Sequence, residues 1–455
     1  MKNINLQWKE SVDMKINKAS IVVLFNIIIA LMLPALSHAK TTVSIGTVNN
    51  SDMIRMRALS PEFEKQNPDI ELEWIVLEEN VLRQRLTTDI AVKSGRFDVM
   101  TIGMYEAPIW ANNKWLTPFK DLPESYDIDD VFSSVKDGLS VNGKLYALPF
   151  YGESSMTMYR KDLFKKANIT MPENPTWSFM EQAAAKIHDP ANEVYGACLR
   201  GKAGWGENMA IISTMANSFG SRWFDMNWQP QFNTAEWKNT LNFYIRLLTK
   251  YGPPGVATNG FNETLALMSG GKCGFWVDAT VAGGFVTDKS QSKVWDKIDF
   301  APAPYQTTKK GSGWLWAWSL AIPISSDEKK AAKKFIVWAT SKEYSKLVEE
   351  KYGIAAVPPG TRKSTYSNPE YMRLAPFAEM TLKQMSNANP KDSTLKQSPY
   401  SGIQFVSIPK FQGFASTVGQ QFSGILSYKY TIDQALLTSQ KEVRKEMVRD
   451  GYIRE

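Results

Sequence analysis

The alternation of two hydrophobic periods over residues 41–113 constrains this chain more than any other feature. Thr41 to Val48 is a β-branched run, and Asn49-Asn50-Ser51-Asp52 then supplies turn and N-cap chemistry. Met56, Leu59 and Phe63 follow at helical spacing until Asn67-Pro68 stops the segment. Ile70, Leu72, Trp74 and Val76 alternate with Glu71 and Glu73 as a strand. Residues 80–93 read as a second helix, Phe97 to Ile102 as a third strand, and Glu106 to Asn113 as a short helix. Strand, helix, strand, helix, strand is the pattern of a parallel sheet covered on both faces, so the fold class is α/β. Ligands of such sheets gather at the carboxyl ends of the strands. Those ends are Asn49 and Asn50, Glu78 and Glu79, and Gly103 to Glu106.

Ahead of this pattern, Lys15 and Lys18 precede an apolar run from Ile21 to Leu33, and Ser37-His38-Ala39 follows before Lys40. A positive start, a short apolar stretch and small residues two apart make a secretory signal. The run is shorter than the roughly 20 residues a membrane-spanning helix needs, and Pro34 interrupts it. Cleavage after residue 39 and export to the periplasm are expected. Met14-Lys15-Ile16-Asn17-Lys18 would itself open an ordinary signal peptide, which makes Met14 a candidate start.

About 416 residues remain after cleavage, enough for two lobes and too many for one compact core. With 43% hydrophobic and 22% charged residues the composition is that of a globular protein. Losing residues 1–39 removes four lysines and two acids, and the formal charge falls from +7 to +5. Basic and acidic residues are interleaved without a long Lys/Arg stripe, which argues against nucleic-acid binding. Cys198 and Cys273 both sit in apolar contexts. They could pair in an oxidising compartment, but two isolated buried thiols are the expected state. One histidine, His188, remains in the mature chain, so His-rich zinc sites are excluded and no metal or cofactor is expected.

Asn142-Gly143 signals a tight hairpin, and Lys144 to Tyr159 is a long extended segment that reads as the first crossover between lobes. Trp177 to Lys186 and Glu236 to Leu248 read as helices, and Lys272 to Val277 as a strand. Trp314, Trp316 and Trp318 alternate on one strand face. Ser325 and Glu328 form a capping-box pattern before a helix with Ala332, Phe335, Ile336 and Ala339 on its apolar stripe. The remainder reads as loop-rich until a final helix from about Ile432.

Gly143 to Tyr151 (Gly-Lys-Leu-Tyr-Ala-Leu-Pro-Phe-Tyr) and Met158 to Phe164 (Met-Tyr-Arg-Lys-Asp-Leu-Phe) resemble extracellular solute-binding proteins of the maltose-binding type. Leu199 to Ala210, Asn259 to Glu263, Trp276 to Thr280 and Trp314 to Trp318 resemble the subgroup that delivers sorbitol, mannitol and related polyols to ABC importers. The resemblance spans the mature chain. It implies a two-lobed periplasmic-binding-protein fold (type II) joined by crossover strands, with ligand clamped in the cleft. On that layout residues 40–152 and 277–322 form the N-terminal lobe, and 153–276 and 323–455 the C-terminal lobe. The implied partners are a polyol or sugar and inner-membrane permease subunits served by a separate ATPase, with the binding protein a monomer.

A sugar alcohol has neither charge nor ring, only hydroxyls on a CH backbone. A site for it needs carboxylates and amides to accept O–H, a guanidinium to donate, and aromatic faces against the CH surfaces. Arg200, in a glycine-flanked loop, is the first candidate to meet two adjacent hydroxyls, with an internal ion pair as the alternative. Trp205, between Gly204 and Gly206, is either displayed to ligand or packed between lobes. Asp278, Glu153 and Glu79 are candidate hydroxyl acceptors, a hinge bond being the alternative for Glu153. Asn49 reads as a contact or an N-cap, and Glu106 as a contact or an acid in a first helical turn. Tyr151, Trp314 and Trp316 are candidate cleft walls, although a face of indoles also suits a core.

The expected function is solute binding by hinge closure, with ligand favouring the shut form. A mono- or oligosaccharide would use the same residue types and stays open as the ligand. An exported glycosidase would need paired carboxylates. Glu78-Glu79 and Asp129-Asp130 are pairs in sequence, but adjacent side chains usually point apart, so no enzyme activity is expected.

Overall fold

The computed structural model describes residues 40–454. The signal segment, its cleavage site and the Met14 start lie outside the described residues. The opening alternation folds as its periods dictate. β1 (Thr41–Val48) pairs in parallel with β2 (Ile70–Leu77) along its whole length, Thr41 opposite Ile70 and Val48 opposite Leu77. On its other side it pairs in parallel with β3 (Val99–Ile102). Helix Ser51–Gln66 connects β1 to β2, and helix Glu79–Val92 connects β2 to β3. Asn50, rather than Asn49, caps the first of these, its Oδ1 accepting from Met53 N at 2.9 Å.

β4 (Ser140–Val141) and β5 (Lys144–Leu145) form the expected hairpin, with Asn142 and Gly143 at φ of 51° and 72°. These left-handed values are what a two-residue turn between twisted strands requires. β6 (Leu148–Glu153) and β7 (Ser155–Arg160) are then separated by Ser154 alone, yet they belong to different sheets. With β8 (Tyr195–Cys198), β9 (Cys273–Ala279), β10 (Ile298–Pro302) and β11 (Trp316–Ala321), the sheets order as β2-β1-β3-β11-β6 and β10-β7-β9-β8. The chain therefore crosses at Ser154. There Ser154 N donates to Thr280 Oγ1 at 3.2 Å, and Thr280 N donates to Ser154 O at 2.8 Å. A further strand of chain crosses beside it, where Gly152 N donates to Pro359 O at 2.9 Å. Gly152 and Gly360 approach so closely that a Cβ on either would collide with the other's carbonyl, and Gly360 holds φ of 73°.

Several expectations are corrected. β10 lies within the stretch 277–322 assigned to the first lobe, but it pairs antiparallel with β7 in the second sheet. Helix Lys329–Ala339, assigned to the second lobe, packs on the first sheet instead. Its Phe335 ring meets Phe63 at 5.4 Å and Trp74 at 5.7 Å, which covers the outer face of β2. The Ser325/Glu328 capping box does not form: Glu328 is itself the N-cap, and Ser326 Oγ donates to buried Asp98 at 2.7 Å. The stretch after residue 340 is more helical than expected, with helices Lys342–Tyr352, Ala378–Asn387 and Phe411–Leu426, while 388–410 is irregular. The last carries Gly413, Gly419 and Gly424, which weaken its intrinsic propensity. Burial of Phe411, Phe414, Val418 and Phe422 holds it. Finally, Cys198 and Cys273 are not isolated thiols but a disulfide joining the neighbouring strands β8 and β9.

Candidate functional site

A cavity of about 150 Å³ lies where the carboxyl ends of the strands converge. One wall rises from the first sheet. β1 and β2 end in Asn49, Asn50, Glu78 and Glu79, and Arg83 follows one turn into helix Glu79–Val92. β6 contributes Tyr151 and Glu153, and β11 with its approach contributes Trp314, Trp316 and Trp318. The other wall comes from the second sheet and its loops: Arg200 and Lys202 beyond β8, Trp205 and Glu207 ahead of helix Asn208–Ser218, and Phe261 opening helix Phe261–Ser269. Gln404 enters from the C-terminal part of the chain.

Two buried guanidinium groups organise the charges. Arg200 Nε donates to Asp278 Oδ2 at 2.9 Å, its Nη2 pairs with Oδ1, and its Nη1 donates to Gly206 O at 2.7 Å. Glu207 lies 3.5 Å from the same Nη1. Trp276 Nε1 adds a bond to Asp278 Oδ2 at 2.9 Å, so that carboxylate is saturated. Arg83 Nε donates to Glu79 Oε1 at 2.9 Å, and its Nη1 pairs with Glu106. Glu106 is fixed in turn by Gly103 N, which donates to its Oε2 at 3.0 Å.

Burial sets the protonation of two acids on the wall, Glu153 and Glu207. It pushes Glu153 up to about 8, against the opposing charge of Arg200. Glu207 is likewise raised by burial to about 8, with Arg200 again opposing. Three buried polar atoms on the cavity wall find no protein partner: Trp205 Nε1, Trp314 Nε1 and Gln404 Oε1. Gln404 is held by its other end, Nε2 donating to Leu315 O at 3.0 Å. An unmet buried donor or acceptor costs about 1–3 kcal/mol, so this wall favours a solute rich in hydrogen-bonding groups. It offers donors, acceptors and aromatic faces but no histidine, no thiol and no metal-binding cluster among the described residues.

A model of the bacterial extracellular solute-binding proteins matches residues 50–346. The chain belongs to that family. This family member is 57% identical over 422 residues to the mannitol-binding protein of Pseudomonas aeruginosa, covering 93% of this chain and 97% of the relative. Its fold superposes with a TM-score of 0.89 on an ABC transporter solute-binding protein from Agrobacterium vitis, solved with bound D-mannitol. The two are 57% identical, with 90% of this chain and 99% of the other covered. A ribitol complex from Agrobacterium radiobacter, 22% identical, shares the fold at a TM-score of 0.77 over 89% and 98% of the two chains. The two-lobed α/β architecture of the maltose-binding type follows from these relationships.

Within this binding protein, Asn49, Glu79, Tyr151, Glu153, Arg200, Trp205, Trp314 and Trp316 all line the cavity. Glu106 and Asp278 do not. Each stands behind a cavity arginine and neutralises it, which spends the carboxylate oxygens a ligand would have used. The fork of Arg200 faces Asp278, so the internal ion pair weighed against ligand contact is present. Sequence reasoning placed Asn50 at a ligand-facing strand end and missed Arg83, Glu207, Phe261 and Gln404. Arg83 had a readable signal: Glu79 and Arg83 are four apart, on one face of the helix that follows β2. Gln404 had none, because its segment is irregular.

Proposed function

We propose that this protein captures a linear sugar alcohol of the mannitol class in the periplasm and presents it to an ABC permease driven by a separate ATPase. The cavity carries this reading. At about 150 Å³ it is small against the roughly 300–1,000 Å³ of drug-sized ligand sites, so it suits a single small solute better than an oligosaccharide. Acceptors (Glu79, Glu153, Glu207), donors (Arg200, Trp314 Nε1) and indole faces (Trp316, Trp318) surround it on all sides, matching a chain with a hydroxyl on every carbon. The ligands of the Pseudomonas and Agrobacterium vitis relatives support the same class. Because the walls belong to two sheets, a solute touches both only when they are together, and it therefore favours the shut form.

Titration calorimetry of the mature protein with mannitol, sorbitol, arabitol, glucose and maltose tests this. Saturable 1:1 binding of a linear polyol is expected, with maltose excluded by size. Binding of glucose without any polyol would replace the ligand class and leave solute capture intact. Consumption of the bound polyol would replace binding with catalysis.

A further inference from the structure

The loop Arg200–Glu207 reaches from the second sheet to the first turn of helix Glu79–Val92, and its deepest side chain is Trp205. The indole lies with its centroid 4.1 Å from the guanidinium carbon of Arg83. The rings of Trp318 and Trp316 also approach the same carbon, at 4.7 and 5.2 Å. Arg83 cannot swing away, because Glu79 and Glu106 hold its nitrogens. Trp205 is further packed by Tyr105 at 4.9 Å and Trp316 at 5.8 Å. Gly204 and Gly206 make this seating feasible: a Cβ on the first would collide with Asn80, and one on the second with Glu79.

The other bonds that this loop and Asn262 make to the first wall lie at the solvent-reached rim, while Tyr105 Oη donates to Ile408 O at 3.1 Å in the interior. Lys202 Nζ meets Glu78 at 2.7 Å, Asn80 Nδ2 donates to Ala203 O at 3.3 Å, and Asn262 Nδ2 donates to Asn49 O at 2.9 Å. Exposed pairs of this sort contribute little, whereas a desolvated cation–ring contact contributes substantially.

We infer that Arg83 and Trp205 form a cross-cleft latch. Arg83 is a positioning residue that fixes the shut form by receiving Trp205, and so sets the residence time of the solute. The inference rests on the polyol-binding reading for its main readout. Loss of the latch speeds dissociation of every bound polyol through closure, over and above any bond that Trp205 Nε1 makes to a hydroxyl.

The test is a double-mutant cycle on mannitol dissociation by stopped-flow fluorescence, using Arg83→Lys, Trp205→Leu and the pair, with sorbitol run in parallel. Each single change is expected to speed release by roughly tenfold, the pair by no more than either alone, and both polyols equally. Gly206→Ala keeps both side chains but sets a methyl against Glu79, which holds Arg83, and it should speed release as well. Multiplying effects in the double mutant, or an effect on one polyol only, overturns the latch. Should the wild type bind no polyol at all, the binding reading fails, and X-ray scattering without solute decides the latch separately. A larger radius of gyration in Trp205→Leu and Gly206→Ala than in wild type supports it; identical profiles overturn it.

Discussion

Asp278 is fully buried, and its charge is tolerated because Arg200 and Trp276 supply its hydrogen bonds. Removing one partner of such a pair strands the other and costs about 3–5 kcal/mol. Arg200→Ala is therefore expected to lower the melting temperature of the empty protein as well as polyol affinity, read by thermal denaturation and calorimetry together. Trp314→Phe is the cleaner probe of ligand contact. It keeps an aromatic ring and removes only the indole donor, which faces the cavity beside Glu153. Mannitol affinity should fall about fivefold to tenfold, the worth of one hydrogen bond near 1 kcal/mol. The acids predict a pH dependence. Burial raises Glu153 from 4.5 to about 8, so the folded state holds a proton that the unfolded chain releases near 4.5. The stability tied to that proton is fully present below about 4.5 and is lost as pH rises through 8. Melting temperature should drop across that window, and Glu153→Gln should flatten the drop. A wild-type profile that climbs from pH 5 to 8 and is unchanged by the substitution would contradict the assignment.

At the scale of elements, the disulfide and the site are linked. Cys198 ends β8 two residues before Arg200, and Cys273 opens β9, which runs to Asp278. The bridge ties the two strands that carry the central ion pair at or just beyond their carboxyl ends. Replacing both cysteines with serine is expected to cost about 2–4 kcal/mol by chain entropy, and to weaken polyol binding even where the protein remains folded. Denaturation and calorimetry on the same double variant separate the two effects. Helix Glu79–Val92 is the other element on which the site depends. Its N-cap Glu78 accepts from Asn80 and Val81 N, which leaves Glu79 and Arg83 on the face toward the cavity. Asp129 and Asp130, the second carboxylate pair in the sequence, lie elsewhere, where Asp130 binds Arg362, Lys342 and Ser364.

For the whole molecule the crossing point is what joins the two sheets. Between Gly152 and Gly360 two backbones touch where the chain passes from sheet to sheet. Gly152→Ala inserts a methyl against a carbonyl and is expected to cost about 1–3 kcal/mol by overpacking. It should also alter the difference in radius of gyration between empty and mannitol-saturated protein, measurable by X-ray scattering. A saturating polyol should raise the melting temperature of the wild type by mass action, about 2.7 kcal/mol at a hundredfold excess over Kd.

The parallel strands, their helices and the Asn142-Gly143 turn were legible because each is written in a local period or a backbone preference carried by neighbouring residues. So was the cluster of polar residues at the strand ends, since an α/β sheet leaves its ligand-facing positions there. What the sequence alone could not supply is what depends on contacts between distant segments. Asp278 and Glu106 have the right chemistry for a hydroxyl, but only the fold shows that Arg200 and Arg83 already occupy them. Cys198 and Cys273 become a bridge because β8 and β9 are neighbours, which no spacing of 75 residues encodes. Residues 329–339 read correctly as helical, yet the sheet they cover was decided by which apolar face remained open, and the strand at 298–302 was not read at all. Local propensity determines what an element is; burial against remote partners determines where it goes, and with it which polar groups remain free for a ligand.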